Sequence, residues 1–120
     1  MKRKLLVIED EEPIRRLAQA KLNRLGYEVV LAADGEEGLR RIAEHPDLNL
    51  VVMDLIMPGV SGRELFLRLR EARPDLPVLL MSGYSKDGEA EELLAIGASD
   101  FLQKPFLLDV LAEKVQATIH

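Results

Sequence analysis

The sequence predicts an α/β fold, a doubly wound five-stranded parallel sheet with helices on both faces. Two observations carry this prediction: five short apolar runs recur at nearly even spacing, and segments with helical periodicity lie between them. The runs are rich in Val and Leu and do not alternate with polar residues, which is typical of strands covered on both faces. Strands that alternate with helices form a parallel sheet through right-handed crossovers, so the helices divide between its two faces.

The predicted strands are short and are bounded by turn-forming or charged residues. They cover residues 4–8, 28–31, 48–53, 77–81 and 100–102. Because parallel strands all end at the same edge of a sheet, the residues that follow these runs are expected to lie together. In doubly wound sheets this carboxyl edge is where ligands bind.

The first two predicted helices have clear beginnings and ends. Helix one begins at Pro13, which suits a first helical position, and stops before Gly26. One of its faces is apolar and carries Ile14, Leu17, Ala18, Leu22 and Leu25. Helix two covers residues 35–44, opens with acidic side chains and ends before His45 and Pro46.

The remaining helices are predicted from caps and apolar spacing. Ser61 followed by Glu64 resembles a capping box, so helix three starts there and ends before Pro74. Helix four covers residues 86–96 and is closed by Gly97. Helix five runs from about residue 107 towards 119. It has more apolar positions than one core-facing stripe requires, so some are expected to be exposed: Leu107, Leu108, Val110, Leu111, Val115 and Ile119.

Length and composition indicate one soluble domain covering residues 1–120. Of the 120 residues, 48% are hydrophobic and 31% are charged. The net charge of −5 and the absence of a basic stripe argue against direct nucleic-acid binding. The apolar run near the start breaks off at Glu9, too early for a signal sequence or membrane insertion. The sequence has no Cys, which fits a reducing compartment, so a cytoplasmic location is expected.

Polar residues mark the predicted carboxyl edge of the sheet. They are Glu9 and Asp10 after strand one, Asp54 after strand three, Ser82 after strand four and Lys104 after strand five. Three crowded carboxylates repel one another unless a cation intervenes, and hard oxygen ligands without His or Cys favour Mg²⁺ or Mn²⁺. Lys104 and Ser82 suit the oxygens of a phosphoryl group. Since an Asp carboxylate can itself accept phosphate, Asp54 is predicted to be a nucleophile.

Each of these residues also has an ordinary structural interpretation. Asp10 could cap the first helix, Asp54 could begin an Asx turn, and Ser82 before Gly83 could mark a loop. Lys104 could be a solvated lysine at a strand end. The functional interpretation is favoured because it explains with one site why all of these positions fall on one edge.

Four spaced motifs, in order, resemble the receiver domain of two-component response regulators over nearly the whole chain. They are LLVIEDEEPIR, VVMDLIMPGVSG, VLLMSGY and GASDFLQKPF. The resemblance implies a flavodoxin-like, CheY-like (βα)5 fold. It implies a phosphoprotein in which Asp54 takes a phosphoryl group from a histidine kinase's phosphohistidine with Mg²⁺ as cofactor. The resemblance also implies a signalling switch that assists its own phosphorylation and dephosphorylation rather than a conventional enzyme.

The resemblance assigns roles to individual residues. Asp54 and Asp10 would ligate Mg²⁺, Glu9 would act mostly through water, and Ile56 would offer its backbone carbonyl. The phosphoryl group would be contacted by the hydroxyl of Ser82 and by Lys104, whose peptide bond to Pro105 is usually cis in this family. The aromatic switch would be Phe101, which rotates inwards when Ser82 moves towards the phosphate.

Several positions depart from the commonest family pattern. Glu9 replaces Asp, and Ser82 replaces Thr. Bulky Ile56 and Tyr84 occupy positions that tune hydrolysis of the aspartyl phosphate, which suggests a long-lived phosphate. The phrases LLMSGY and FLQKPF also resemble receivers attached to hybrid histidine kinases, as found in phosphorelays.

Three other functions fit parts of the pattern. A haloacid-dehalogenase-like phosphatase would need a general acid two residues after the nucleophile, where Ile56 stands. A flavodoxin-like FMN protein would need a phosphate-cradling loop after strand one, where EDEEP would repel phosphate. A degenerate receiver that only docks to partners would not need the full set of site residues.

The expected partners follow from the receiver resemblance. They are a histidine kinase or phosphotransfer domain, and an output domain or partner protein. A homodimer through the fourth helix, fifth strand and fifth helix is a further partnership that this resemblance allows.

Overall fold

Strands and helices alternate through the part of the chain that the computed structural model describes, residues 2–83 and 88–119. The elements are β1 (Lys4–Ile8), α1 (Glu12–Arg24), β2 (Glu28–Ala32), α2 (Gly35–Glu44), β3 (Leu50–Asp54), α3 (Gly62–Ala72), β4 (Val78–Ser82), α4 (Gly88–Ala95), β5 (Asp100–Gln103) and α5 (Leu108–Ile119). All neighbouring strands pair in parallel, in the order β2-β1-β3-β4-β5. The predicted doubly wound fold is confirmed.

The observed boundaries differ from the predicted ones mainly at the strands. Strand β3 begins at Leu50 rather than at residue 48, and it ends on Asp54 rather than before it. Strand β4 likewise includes Ser82 as its last residue. Both polar side chains therefore stand on the last residue of a hydrogen-bonded strand, which fixes their backbone more firmly than a loop position would. Of the helix predicted over residues 86–96, residues 86 and 87 lie outside the described residues.

Two of the helix starts, those of α2 and α3, follow from their capping residues. The side chain of Asp34 accepts a hydrogen bond from the Glu37 N–H at 2.8 Å and begins α2. The Ser61 hydroxyl accepts one from the Glu64 N–H at 3.1 Å and begins α3, as the sequence predicts. These bonds satisfy backbone donors that a helix leaves unpaired at its first turn.

The sheet separates two apolar clusters. The α1/α5 cluster includes buried residues of those two helices: Ala18, Leu22, Leu111 and Val115. The α2/α3/α4 cluster covers the other face and includes Ile42, Leu65, Phe66, Leu69, Ala90 and Leu93. Successive strand residues point to opposite faces, so Leu5 joins the first cluster and Leu6 the second. Burial on both faces explains why the strands are apolar without alternation.

The apolar surplus of α5 is mostly packed. Leu111 and Val115 are buried, while Leu108, Val110 and Ile119 are partly buried against the α1/α5 cluster. Leu107, which precedes the helix, is 73% exposed. The exposed part of this face is therefore smaller than the sequence suggests, because α5 also packs against α1. Among residues 2–83 and 88–119, no helix has the length and apolar content needed to cross a bilayer.

Gly62, the first residue of α3, packs against the backbone that follows the phosphoacceptor candidate. A Cβ at Gly62 would lie 2.6 Å from the Leu55 carbonyl oxygen, whereas a Cβ at Gly38 would meet the flexible end of Ile8 at 2.5 Å. We expect Gly62→Ala to lower the free energy of unfolding by about 2 kcal/mol, because backbone cannot move aside cheaply. Urea unfolding measures this quantity.

Gly38→Ala is the matched control for that substitution. The end of the Ile8 side chain can change rotamer, and Ala is favoured over Gly inside a helix by about 1 kcal/mol. The control should therefore unfold close to the unsubstituted protein. A Gly62→Ala protein at least as stable as the Gly38→Ala protein would contradict the proposed backbone clash.

Candidate functional site

The carboxyl edge of the sheet gathers the polar residues that the sequence singles out. Glu9 follows β1, Asp54 ends β3, Ser82 ends β4 and Lys104 follows β5. Glu9, Asp54 and Ser82 are the buried polar or charged residues of the described chain. Burying ionised groups costs free energy unless they are paired, so the partners at this edge determine what it can do.

The Lys104 ammonium group lies between two buried carboxylates. Its Nζ is 2.7 Å from Asp54 Oδ2 and 2.6 Å from Glu9 Oε1. The exposed carboxylate of Glu11 is farther away, at 3.6 Å. The backbone N–H of Lys104 donates to the Ser82 carbonyl oxygen at 2.7 Å, which fixes the start of the Lys104 side chain beside the end of β4.

Glu9 is fully buried, with 0% of its surface exposed. Its Oε2 accepts a hydrogen bond from the Glu11 N–H at 3.0 Å. Its Oε1 touches Lys104 Nζ as an ion pair, but has no well-aligned hydrogen bond among the described residues. Burial raises the pKa of Glu9, and although Lys104 and the Glu11 N–H oppose this, the nearby Asp54 charge adds to it.

Lys104 carries its positive charge at neutral pH. Burial lowers the pKa of this ammonium group, but the hydrogen bond to Asp54, the close contact with Glu9 and their negative charges outweigh burial, so the pKa is raised overall. A permanent ammonium at this position can neutralise one carboxylate or contact the oxygens of a phosphoryl group.

Three carboxylates could together hold a cation. Oxygens of Glu9, Asp10 and Asp54 all lie within 4.8 Å of one another, and Asp10 faces solvent. The set consists of hard oxygen donors without His or Cys. This donor set fits a small divalent cation, which prefers oxygen ligands and keeps part of its water shell.

Asp54 stands in the wall of an open cavity with room for a ligand. The cavity has a volume of about 580 Å³, and its lining residues are Glu11, Ile14, Asp54, Ile56, Gly83, Lys104 and Pro105. The second oxygen of Asp54, Oδ1, accepts a hydrogen bond from the Ile56 N–H at 3.1 Å. The Ile56 side chain is 52% exposed, so it stands at the cavity mouth rather than in the core.

The remaining predicted residues are placed as follows. Ser82 lies one residue beyond Met81, the β4 partner of Asp54. Phe101 is only 9% exposed and belongs to the α2/α3/α4 cluster, so its ring already points inwards. Tyr84 lies outside the described residues. The Lys104–Pro105 peptide bond is cis, as the resemblance implies.

Sequence reasoning did not select Glu11 and Ile14 as residues around the site. Both lie early in the loop and helix that follow β1, where the crossover to β2 passes over the carboxyl edge. Their position directly after the acidic pair is the signal that could have identified them. Side chains of a first helical turn commonly face the ligand space of such sheets.

Comparison with known proteins gives one consistent family. The family described as "Response regulator receiver domain" matches residues 5–116. A probable transcriptional regulator ycf27 from Porphyridium aerugineum is 39% identical over 120 residues, which are 99% of this chain and 49% of that protein. The alkaline phosphatase synthesis transcriptional regulatory protein PhoP of Bacillus subtilis is 38% identical over 122 residues, 100% of this chain and 50% of that protein. The chain thus spans about half the length of the curated relatives it matches.

Solved structures agree with the family match. A response regulator receiver domain protein from Clostridium thermocellum superposes with a TM-score of 0.91 at 29% identity, covering 98% of this chain and 94% of that one. The receiver domain of the hybrid histidine kinase CckA gives a TM-score of 0.82 at 35% identity, covering 98% and 99%. The likeness to a hybrid-kinase receiver is thus one among likenesses to several kinds of receiver.

Removing the Lys104 charge tests the electrostatic balance of the site. We expect Lys104→Met to lower the free energy of unfolding at pH 7 by about 3 kcal/mol in metal-free buffer, because Glu9 would stay buried without a counter-cation. The pKa of Glu9 is raised in the folded state, so stability from this group is present at low pH and lost as pH rises through that pKa. The loss of unfolding free energy caused by Lys104→Met should therefore be smaller at pH 5 than at pH 7, as urea unfolding would measure.

Lys114→Met is the control for the loss of one lysine. Lys114 pairs with Asp100 at 3.1 Å, but both side chains are partly exposed to solvent. Exposed pairs contribute about 1 kcal/mol or less, so this variant should unfold nearly as the unsubstituted protein does. Two results would contradict the claim that Lys104 balances the buried carboxylates. One is an equal loss of unfolding free energy in the two variants, and the other is a loss in Lys104→Met that is the same at pH 7 and pH 5.

Proposed function

The chain belongs to the response regulator receiver domain family, and from that premise we propose that Asp54 accepts a phosphoryl group from a phosphohistidine. The donor is a histidine kinase or a phosphotransfer domain. The observation that carries the proposal is the position of Asp54, a buried carboxylate in an open cavity, beside the Lys104 ammonium and within the acidic cluster.

The chemistry uses the chain's own groups. An Asp54 carboxylate oxygen forms the new P–O bond while the P–N bond of the donor breaks and its electrons return to the imidazole ring. Lys104 contacts the phosphoryl oxygens, on which negative charge is concentrated, and the Ser82 hydroxyl donates a hydrogen bond to them. Because Lys104 pairs with Asp54 Oδ2 before transfer, it needs to move only a short distance to reach a phosphoryl group on that carboxylate.

Mg²⁺ is the proposed cofactor. Asp10, Asp54 and the Ile56 carbonyl would hold it, with Glu9 acting mostly through water. When bound, the cation neutralises negative charge that would otherwise repel the incoming phosphoryl group. The support is the acidic cluster, whose oxygens converge within 4.8 Å.

The domain is proposed to act as a signalling switch rather than as a conventional enzyme. Asp54 is itself modified, and its acyl phosphate is the signal. A haloacid-dehalogenase-like phosphatase is disfavoured because apolar Ile56 stands where that chemistry needs a proton donor. A receiver that only docks to partners would have no need for the convergence of Asp10, Asp54 and Lys104, which the structure brings together.

The donor is proposed to dock beside the site, over the first turns of α1 and the loop after β5. A second cavity of about 140 Å³ adjoins Lys104 there, and it is lined mainly by apolar residues: Ile14, Leu17, Pro105, Phe106 and Leu108. Leu17 is 55% exposed. Helix α1 carries four basic residues in a chain of net charge −5, namely Arg15, Arg16, Lys21 and Arg24. An apolar helix surface with acidic flanks would match this face.

The phosphorylated state is proposed to be read by an output domain or a partner protein. PhoP of Bacillus subtilis is named a transcriptional regulatory protein, and this chain matches about half of it. The receiver itself is not proposed to bind nucleic acid, since its net charge is −5. A cytoplasmic location is proposed from the kinase donor and the absence of Cys.

The proposed output surface consists of α4, β5 and α5, and it would also serve a homodimer. Phosphorylation would draw Ser82 and Lys104 towards the new dianion and shift the packing beside β5. Phe101 already lies in the core, so the inward rotation implied by the resemblance requires an outward state that differs from this structure. Either the ring samples that outward state before phosphorylation, or the signal passes through β5 and α5 without a ring rotation.

Replacing the acceptor tests the proposed phosphorylation directly. Incubation with acetyl phosphate and Mg²⁺ should add one phosphoryl group to the intact mass of the protein, and Asp54→Asn should prevent this because an amide is not a competent acceptor. Asp34→Asn is a control, since Asp34 caps α2 and does not belong to the acidic cluster. Labelling of Asp54→Asn to the same extent would show that another residue is the acceptor.

Metal dependence is tested by Asp10→Ala and by EDTA. Both should abolish labelling by acetyl phosphate, because the carboxylate repulsion would no longer be neutralised. Asp10 is exposed, so the variant should keep its fold and could gain stability from the relief of like-charge repulsion. Circular dichroism checks the fold. Unchanged labelling under both conditions would contradict a metal-assisted reaction.

The extent of the switch is tested by amide NMR with and without beryllofluoride, an acyl-phosphate mimic. Changes should extend from Asp54 and Ser82 through Phe101 into α5, because the new charge is read through β4 and β5. The Asp54→Asn protein under the same conditions is the control. Shifts confined to the loops around the acidic cluster would contradict the choice of output surface.

A further inference from the structure

Lys104 has two buried partners, Asp54 and Glu9, and only Asp54 takes a direct part in the proposed reaction. Asp54 Oδ2, at 2.7 Å, belongs to the carboxylate that would bind the cation and accept the phosphoryl group. Glu9 Oε1, at 2.6 Å, belongs to a side chain with no exposed surface. When Asp54 binds the cation, the attraction between Asp54 and Lys104 weakens, and Glu9 becomes the main group that can hold the ammonium in place.

The Glu9 side chain is itself held in position for this task. Its Oε2 accepts the Glu11 N–H at 3.0 Å, so one oxygen is fixed by the backbone and the other is turned towards Lys104. Glu11 also carries a carboxylate near Lys104, but its Oε1 is 3.6 Å away and its side chain is exposed. A screened carboxylate at that distance holds an ammonium group much less firmly than a buried one in contact.

We propose that Glu9 is a positioning residue that keeps Lys104 in the site when Asp54 binds the cation, before a phosphoryl group arrives. This inference rests on the proposed function, because it assigns a moment in that reaction at which Lys104 loses its Asp54 partner. Glu9 then acts on the phosphoryl group only through Lys104. Its direct contribution to the cation is secondary, since both of its oxygens already face groups of the chain.

The substitution Glu9→Gln distinguishes a role of Glu9 in holding Lys104 from a role as a metal ligand. The Gln carbonyl oxygen would stay on the Glu11 N–H, because only an oxygen can accept that bond, and the NH₂ group would then face Lys104. The contact between Glu9 and Lys104 would change from attractive to repulsive with almost no change in volume. Glu11→Gln is the matched control, since it removes one carboxylate charge next to the same lysine without touching the buried contact.

The ammonium signal of Lys104 in ¹H–¹⁵N NMR reports directly on its position, and Mg²⁺ alone is the probe. In the unsubstituted protein and in Glu11→Gln, this signal should persist at saturating Mg²⁺. In Glu9→Gln it should be present without metal, when Asp54 still holds the lysine. At saturating Mg²⁺ its hydrogen exchange should accelerate about tenfold or more, in line with the loss of a charged partner in direct contact.

Two results would overturn the proposal. One is a Lys104 signal that exchanges equally slowly in Glu9→Gln and in the unsubstituted protein at saturating Mg²⁺. The other is loss of that signal in the unsubstituted protein when Mg²⁺ binds. Calorimetry of Mg²⁺ binding gives a third criterion. Loss of a residue that only supports metal ligands typically lowers metal affinity by roughly tenfold to hundredfold. A larger fall in Mg²⁺ affinity in Glu9→Gln would show that Glu9 is itself a metal ligand. No phosphoryl donor is present, so failure here is distinguishable from failure of Asp54 to accept phosphate.

Discussion

One ammonium group that balances two buried carboxylates is the interaction on which the carboxyl edge of this domain depends. Glu9 and Asp54 are buried at the ends of adjacent strands, and two such charges would disfavour folding without a nearby cation. Lys104 supplies that cation with contacts of 2.6 and 2.7 Å. The arrangement of the site is therefore stabilised by its own charges, and the Lys104 ammonium is in place when the charge on Asp54 changes.

The sheet order explains why a lysine serves this purpose. Lys104 follows β5, while its partners stand at β3 and β1, with β4 between β5 and β3. Only a long side chain reaches across β4, and the four-carbon stem of Lys can do so while it packs on apolar neighbours. The Ser82 carbonyl at the end of β4 fixes the Lys104 backbone. The identities of these residues thus follow from the topology.

The sequence alone predicted the fold and the gathering of polar residues, because both follow from periodicity and from the rule that parallel strands end at one edge. Asp54, Asp10 and Lys104 could be selected as polar exceptions beside apolar strands. The pairing of Glu9 with Lys104 could not, since it depends on rotamers of two long side chains. The inward ring of Phe101 and the packing of α5 against α1 depend on how helices settle over the sheet, which local patterns do not specify.

The division of the interior into two clusters has a consequence for how such a domain diversifies. Side chains of the α1/α5 cluster and the α2/α3/α4 cluster lie on opposite faces of the sheet. Substitutions far apart and without shared neighbours have nearly additive effects on stability. The phosphodonor is proposed to dock on α1. Its specificity can therefore change over evolutionary time without compensating substitutions in the α2/α3/α4 cluster. Duplicated copies could acquire separate donors while they keep one phosphorylation chemistry, which would insulate parallel signalling pathways from one another.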